Sequence, residues 1–192
     1  MTDDVRRRLL DAAAEVLAEE GPAALTVRRL TREVGASTMA VYTHFGSMAA
    51  LVREVVGDGF AQLYARVDEV PQTDDTLHDL TAMAAACRQH ALAHPQLYAV
   101  MFGSASLGGY RLSEEERHVG LAAFGQLVAG VARAMDAGAL RRDDPAAVAG
   151  QVWTALHGYI MIEQAGFHRV VDDPEAQLLH PMLAHLVAGL VP

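Results

Sequence analysis

Thr26-Val-Arg-Arg-Leu-Thr-Arg-Glu-Val-Gly-Ala-Ser-Thr-Met-Ala-Val-Tyr-Thr-His-Phe45 is the stretch whose reading decides the fold. Thr26 is a good N-cap for a short helix through Val34, and Gly35 suits the left-handed residue that closes one. Ser37 then opens a second short helix to about His44, and Gly46 breaks it. Leu25, Leu30, Val34, Val41 and Phe45 form a small shared core beneath the two helices. Thr38, Met39, Thr43 and His44 face outward. The layout is that of a helix-turn-helix, whose second helix lies in the major groove of DNA. A threonine methyl or Met39 can touch a thymine methyl there.

Helical punctuation continues on both sides. Upstream, Val5, Leu9, Ala13, Val16 and Leu17 share one face, and Gly21-Pro22 ends that helix. Downstream, Ser47 caps a helix over about 48–68. The polar run Gln72-Thr-Asp-Asp75 after Pro71 marks a boundary. Thr76 with Asp79 reads as a capping box for a helix ending near His94-Pro95, and Pro95 starts a short helix to about Phe102. The glycine- and serine-rich 103–112 is a loop, and Ser113 with Glu116 forms a second capping box. The helix it opens is expected to persist to about Gly138. Asp144-Pro145 and Asp173-Pro174 open two last helices, about 145–166 and 174–190. No window alternates with period two. The expectation is an all-α chain of about nine helices. It divides into a DNA-binding part (1–47), a connecting helix (48–70) and a ligand-binding and dimerisation part (71–192).

Composition narrows the function. The chain has 192 residues, 52% of them hydrophobic, and a formal charge of −9, which argues against coating nucleic acid by bulk charge. All 15 basic residues are arginines. Residues 1–55 hold 7 arginines against 8 acids, so the remaining 137 carry nearly all of the negative excess. Any DNA-facing surface is therefore local and N-terminal. Arg6-Arg7-Arg8 reads either as a solvated face or as a phosphate-contacting arm. One cysteine, Cys87, excludes an internal disulfide and suits a reducing cytoplasm. Neither a signal peptide nor a transmembrane segment is expected. A Gly-x-Ser-x-Gly elbow, a phosphate-cradling glycine loop and a His-Glu-x-x-His motif are all absent from the sequence, so an enzyme is not expected.

Beyond a generic helix-turn-helix, the segment resembles the TetR family of bacterial transcriptional regulators. The likeness rests on Thr26, Gly35-Ala-Ser37, Val41-Tyr42-x-His44-Phe45, and Ser47 with Leu51. It implies that Thr26, Ser37, Tyr42 and His44 contact operator phosphates or position the recognition helix. It also implies that Arg28 approaches the backbone and that Thr38, Met39 and Thr43 read bases. Tyr42, Phe45 and His44 also have plain structural readings, as core aromatics and a helix-terminal histidine. Met48 stands where relatives often have lysine, and Met39 where many have glycine, which alters the reading surface. Trp153-x-x-x-His157-Gly158 extends the resemblance to C-terminal domains carrying that pattern.

One reading module makes few contacts, so a second copy is expected, spacing two heads by roughly 34–36 Å. Val148, Val152, Ala155, Tyr159 and Ile162 make one apolar stripe. Leu179, Met182, Leu183, Leu186, Val187 and Leu190 make another, together suited to a homodimer. A small apolar effector is expected among Phe60, Tyr64, Met83, Met101, Phe102, Phe124, Trp153, His157 and Met161, where methionines give adaptable walls. No cofactor is expected. A metal-sensing variant stays open, because Cys87, His90 and His94 are spaced i, i+3, i+7 along one helical face.

Overall fold

The computed structural model describes residues 2–102 and 114–191, without the side chains of 2, 3 and 115–119. The expected 103–112 loop and the Ser113–Glu116 capping box lie outside the described residues. Those residues form nine α-helices and no strand. The helices are α1 (Thr2–Glu20), α2 (Val27–Val34), α3 (Thr38–Phe45), α4 (Met48–Asp68), α5 (Thr76–Ala93), α6 (Pro95–Met101), α7 (Glu114–Asp136), α8 (Pro145–Gln164) and α9 (His180–Ala188). A 3-10 turn, Pro22–Ala24, follows α1. None of the described helices is long and apolar enough to cross a membrane.

The chain forms two packing units, Met1–Gln62 with His94–Gly120, and Leu63–Ala93 with Leu121–Pro192. In the first, α1 packs on α2, α3 and α6. Leu9, Ala13, Val16 and Leu17 of α1 are buried, as their spacing predicts, together with Leu30, Val41, Leu51, Val52, Val56, Tyr98 and Met101. In the second, α8 packs on α5 and α9. Val131, Ala134, Met135, Leu140, Val148, Ala149 and Leu190 form a core, against which Leu77, Leu80, Phe124 and Leu127 pack.

Two expectations at helix ends need correction. Asp75, not Thr76, caps α5, its Oδ1 accepting from the His78 N–H at 3.0 Å. Asp79 is not reciprocating a cap. Its buried carboxylate accepts from the Thr73 N–H and hydroxyl, both at 2.8 Å, and from Arg133 of α7 at 2.5 Å. The Thr73 backbone N–H is the main cause holding this carboxyl below its usual pKa, with the Thr73 hydroxyl and Arg133 adding to it. The last helix is also interrupted: a π-helical turn, Glu175–Leu179, precedes α9. Pro181 has no N–H to give the ladder, and the His180 N–H reaches back five residues to Glu175 instead. Within the chain, a Cβ at Gly158 would meet nothing within 4 Å, so no neighbouring helix of this chain approaches it closely.

Candidate nucleic-acid interface

The turn between α2 and α3 is built by backbone chemistry. The Thr26 hydroxyl accepts the Arg29 N–H at 3.2 Å, satisfying a donor that the first turn of α2 leaves open. At the other end Gly35 is left-handed (φ 65°, ψ 33°), and the Ala36 N–H returns to the Thr31 carbonyl at 2.8 Å. That six-to-one bond is a Schellman closure, and glycine meets its φ without strain. Ser37 has the extended backbone of an N-cap but its hydroxyl makes no capping bond. The usual donor to such a hydroxyl, the Ala40 N–H, donates instead to the Ser37 carbonyl at 2.9 Å. The Ser47 hydroxyl does cap α4, accepting from Ala50 at 3.0 Å.

Helix α3 rests on two anchors, Val41 and Phe45, both buried. The rest of its surface is open: Met39 is 64% exposed, Tyr42 is 48% exposed, and Thr38 and Thr43 are exposed. His44 is half-buried, its ring edge-on to Phe45 at 6.5 Å. Thr26, Arg28 and Ser37 are exposed as well. The residues expected to meet DNA are thus displayed by one helix-turn-helix.

The arginines divide sharply. Arg29, beside the exposed Arg28, is held by Glu20 (3.0 and 2.6 Å) and by Glu33. Its hydrogen bonds to Glu20, then Glu33, raise the guanidinium pKa further, while Arg29 lowers that of Glu33. Arg6 and Arg8 turn inward to Glu54 and to the Val34 carbonyl, whereas the Arg7 side chain is 76% exposed. Three identical residues in a row gave no signal of this split.

Comparison with known proteins places this geometry. Residues 9–55 match the family described as bacterial regulatory proteins, tetR family, and residues 80–186 match the tetracyclin repressor-like C-terminal domain. The chain belongs to the TetR family. Members are DNA-binding transcriptional regulators, not enzymes, and they bind operator DNA and form dimers. Over 189 residues, 96% of this chain and 81% of the relative, this TetR-family chain is 28% identical to an uncharacterised HTH-type transcriptional regulator of Mycobacterium tuberculosis. A protein of unknown function from Rhodococcus sp. RHA1 superposes with a TM-score of 0.82 at 26% identity, covering 98% of this chain and 96% of that one. BioQ, solved with its double-stranded DNA operator, shares the fold at a TM-score of 0.62 and 23% identity, with 96% of each chain covered.

The residues expected to line one effector pocket of this TetR-family chain fall in both packing units. Phe60, Met101 and Phe102 belong to the first. Phe60 and Phe102 meet edge-on at 5.6 Å, and a Cβ at Gly59 would come within 2.7 Å of the Met101 sulfur. That is packed core rather than open space. Tyr64, Met83, Phe124, Trp153, His157 and Met161 belong to the second. There Trp153 stacks on His157 (5.1 Å, 15° between planes) and meets Phe124 edge-on at 6.3 Å. Burial pushes the His157 pKa down, which favours the neutral ring in that stack. Tyr64 is exposed. A cavity of about 170 Å³ in this unit has Met83 in its wall, with Val67, Gln126 and Arg133 among its other residues, so sequence reasoning named only one of its lining residues.

The two apolar stripes divide by burial within the single chain. Val148, Tyr159, Leu179 and Leu190 are buried by the chain's own packing, since α5 and α9 both claim faces of α8. Val152, Met182, Leu183 and Leu186 are only partly covered, and Ile162 is 50% exposed. Met182 and Leu186 line an open groove of about 680 Å³ with Gln151, Leu178, Pro181 and His185. The metal-sensing set is not assembled. Helix α5 ends at Ala93, so His94 lies past it as the exposed N-cap of α6, off the helical register that the spacing assumed. Among the described residues no group of three potential ligands stands close enough to hold a metal ion.

Proposed function

We propose that this TetR-family chain is a homodimeric repressor that binds a palindromic operator and leaves it on binding a small, mostly apolar molecule. It acts on DNA in the cytoplasm. Residues 1–47 serve as the reading head, 48–70 as the connecting helix, and 71–192 as the effector and pairing part, a functional rather than a packing division. The C-terminal part is of the Trp153-x-x-x-His157-Gly158 type. The observation that carries the reading is the exposed face of α3, Thr38, Met39, Tyr42 and Thr43, standing over buried Val41 and Phe45. A helix held by two residues and open elsewhere is what groove reading requires.

On and beside that face, Thr26, Ser37, Tyr42 and His44 grip phosphates or position the recognition helix, Arg28 of α2 approaches the backbone, and Thr38, Met39 and Thr43 touch base edges. Two copies pair through Ile162, Val152, Met182, Leu183 and Leu186, which the single chain leaves accessible, with Val148, Tyr159, Leu179 and Leu190 backing them. A ligand that favours heads spread off-register by about 3 kcal/mol weakens operator binding on the order of 100-fold. Within the second packing unit, Trp153, His157, Phe124 and Met161, with Tyr64 and Met83, line the effector site; Phe60, Met101 and Phe102 serve as core of the first unit.

The test is footprinting on the DNA flanking the chain's own gene, repeated with a panel of apolar compounds. An inverted repeat protected by the protein and released by one compound supports the reading. Protection that no compound disturbs removes the effector, and no protection at all removes the operator.

A further inference from the structure

Arg6 lies on α1, and two further helices, α3 and α4, converge on it. One of its terminal nitrogens donates to both carboxylate oxygens of Glu54 on α4, at 2.7 and 2.6 Å. The central carbon of the same guanidinium lies over the Phe45 ring, 5.0 Å from its centre. Phe45 is the last residue of α3 and one of its two buried anchors. Two turns of recognition helix thus depend at their C-terminal end on a ring that a cation covers and a carboxylate holds in place. Two residues on, Arg8 donates to the Val34 carbonyl at 2.6 Å, meeting one of the acceptors that the end of α2 leaves open. Both contacts run from α1 to the helix-turn-helix.

We infer that Arg6, Glu54 and Phe45 form a positioning clamp that sets the angle of α3 for operator binding without touching DNA. The inference rests on the operator-binding reading above and adds to it Glu54, which neither pattern nor family motif singles out, and a new role for Arg6 and Phe45. The chemistry favours a clamp over a phosphate contact. A guanidinium already paired with a carboxylate and lying over a ring has its charge partnered and its direction fixed. A phosphate-binding arginine needs a head open to solvent, as in Arg7, whose side chain is 76% exposed with the Asp4 carboxylate 4.0 Å away.

The two roles give opposite signs in one experiment. The full-length protein is first used to select an inverted repeat from a pool of random-sequence duplexes. Affinity for that duplex is then measured across a salt series for the wild type, Arg6→Met, Glu54→Gln and the double variant, with helicity and thermal unfolding recorded for each. The clamp predicts that Arg6→Met lowers affinity about 5- to 10-fold with the salt slope unchanged. Glu54→Gln lowers it as well, although removing a negative charge from a DNA-binding unit strengthens binding when charge alone counts. The double variant is no worse than either single one, because both remove the same clamp.

A salt slope reduced by about 1 per half-site in Arg6→Met makes Arg6 a phosphate contact and overturns the clamp. Glu54→Gln binding as well as or better than the wild type overturns it too. Lower melting temperatures with unchanged affinity reduce the contact to a stabilising ion pair and also overturn it. A wild type that selects no repeat overturns the operator reading itself, and the clamp with it.

Discussion

Helices α3 and α8 both carry apolar residues at helical spacing and no Asp, Glu or Arg before the end of α8, but the chain treats them in opposite ways. Helix α3 has eight residues and buries two, Val41 and Phe45, so its remaining surface stays available to a partner. Helix α8 has twenty, lies against α5 and α9, and buries Val148, Ala149, Leu156, Tyr159 and Ile160 in its own unit. A short helix on two anchors advertises its binding face. A long one between neighbours spends its apolar positions on the core first, and Ile162 is left 50% exposed.

The largest effect that can break this contrast is at Val148. An aspartate there puts an unpaired charge into the second unit's core, at a cost on the order of 4 kcal/mol or more. Urea unfolding is expected to show that unit lost, whereas a well-folded monomer would return Val148 to a pairing surface. Ile162→Asp, by contrast, is expected to leave stability within about 0.5 kcal/mol while abolishing the dimer in sedimentation. Next comes the link between α8 and the segment before α9. Arg88 pairs with Glu163 at 2.7 Å and with Glu175 at 2.9 Å, and its guanidinium lies 5.8 Å from the Tyr159 ring centre. Arg88→Met leaves Glu163 mostly buried without its cation, so denaturant unfolding is expected to show a loss of about 2–4 kcal/mol, less than for a fully dry pair.

On α3 the contrast is sharpened by affinity. Tyr42→Ala is expected to weaken operator and random duplex alike by about tenfold, and Thr43→Ala to weaken only the operator, by a few-fold. Equal behaviour of the two variants on both duplexes would erase the division between gripping and reading. The effect that depends on pH belongs to Asp79. Its folded pKa is depressed, so its stabilisation is present above the ordinary carboxylate range and disappears as pH falls through the folded value. An acid titration of melting temperature is expected to be steeper for the wild type than for Asp79→Asn, which has no carboxylate to protonate.

Much of the first unit was legible because its signals are local. Thr26, Gly35 and Ser47 act on backbone groups within a few residues, and their structural roles are those the sequence implies. Ser37 marks the right place but not the right bond, because the Ala40 N–H had a nearer acceptor. What could not be read depends on partners far along the chain. The Arg6–Glu54 pair spans 48 positions and Arg88–Glu163 spans 75, and nothing in a run of three arginines says which turns inward. Helical periodicity likewise gives a stripe for α8 without saying whether the chain or a second copy covers it. Pro181 carries the one local signal of the interruption: a proline without an N–H stands just after the widened turn.

The central claim is that two exposed α3 faces are presented together to successive grooves of one duplex. Sedimentation of the full-length protein with its selected inverted repeat tests it most directly. The account predicts a complex of two chains per duplex that is lost when the half-sites are moved half a helical turn apart. One chain per duplex, or binding indifferent to half-site spacing, would contradict it.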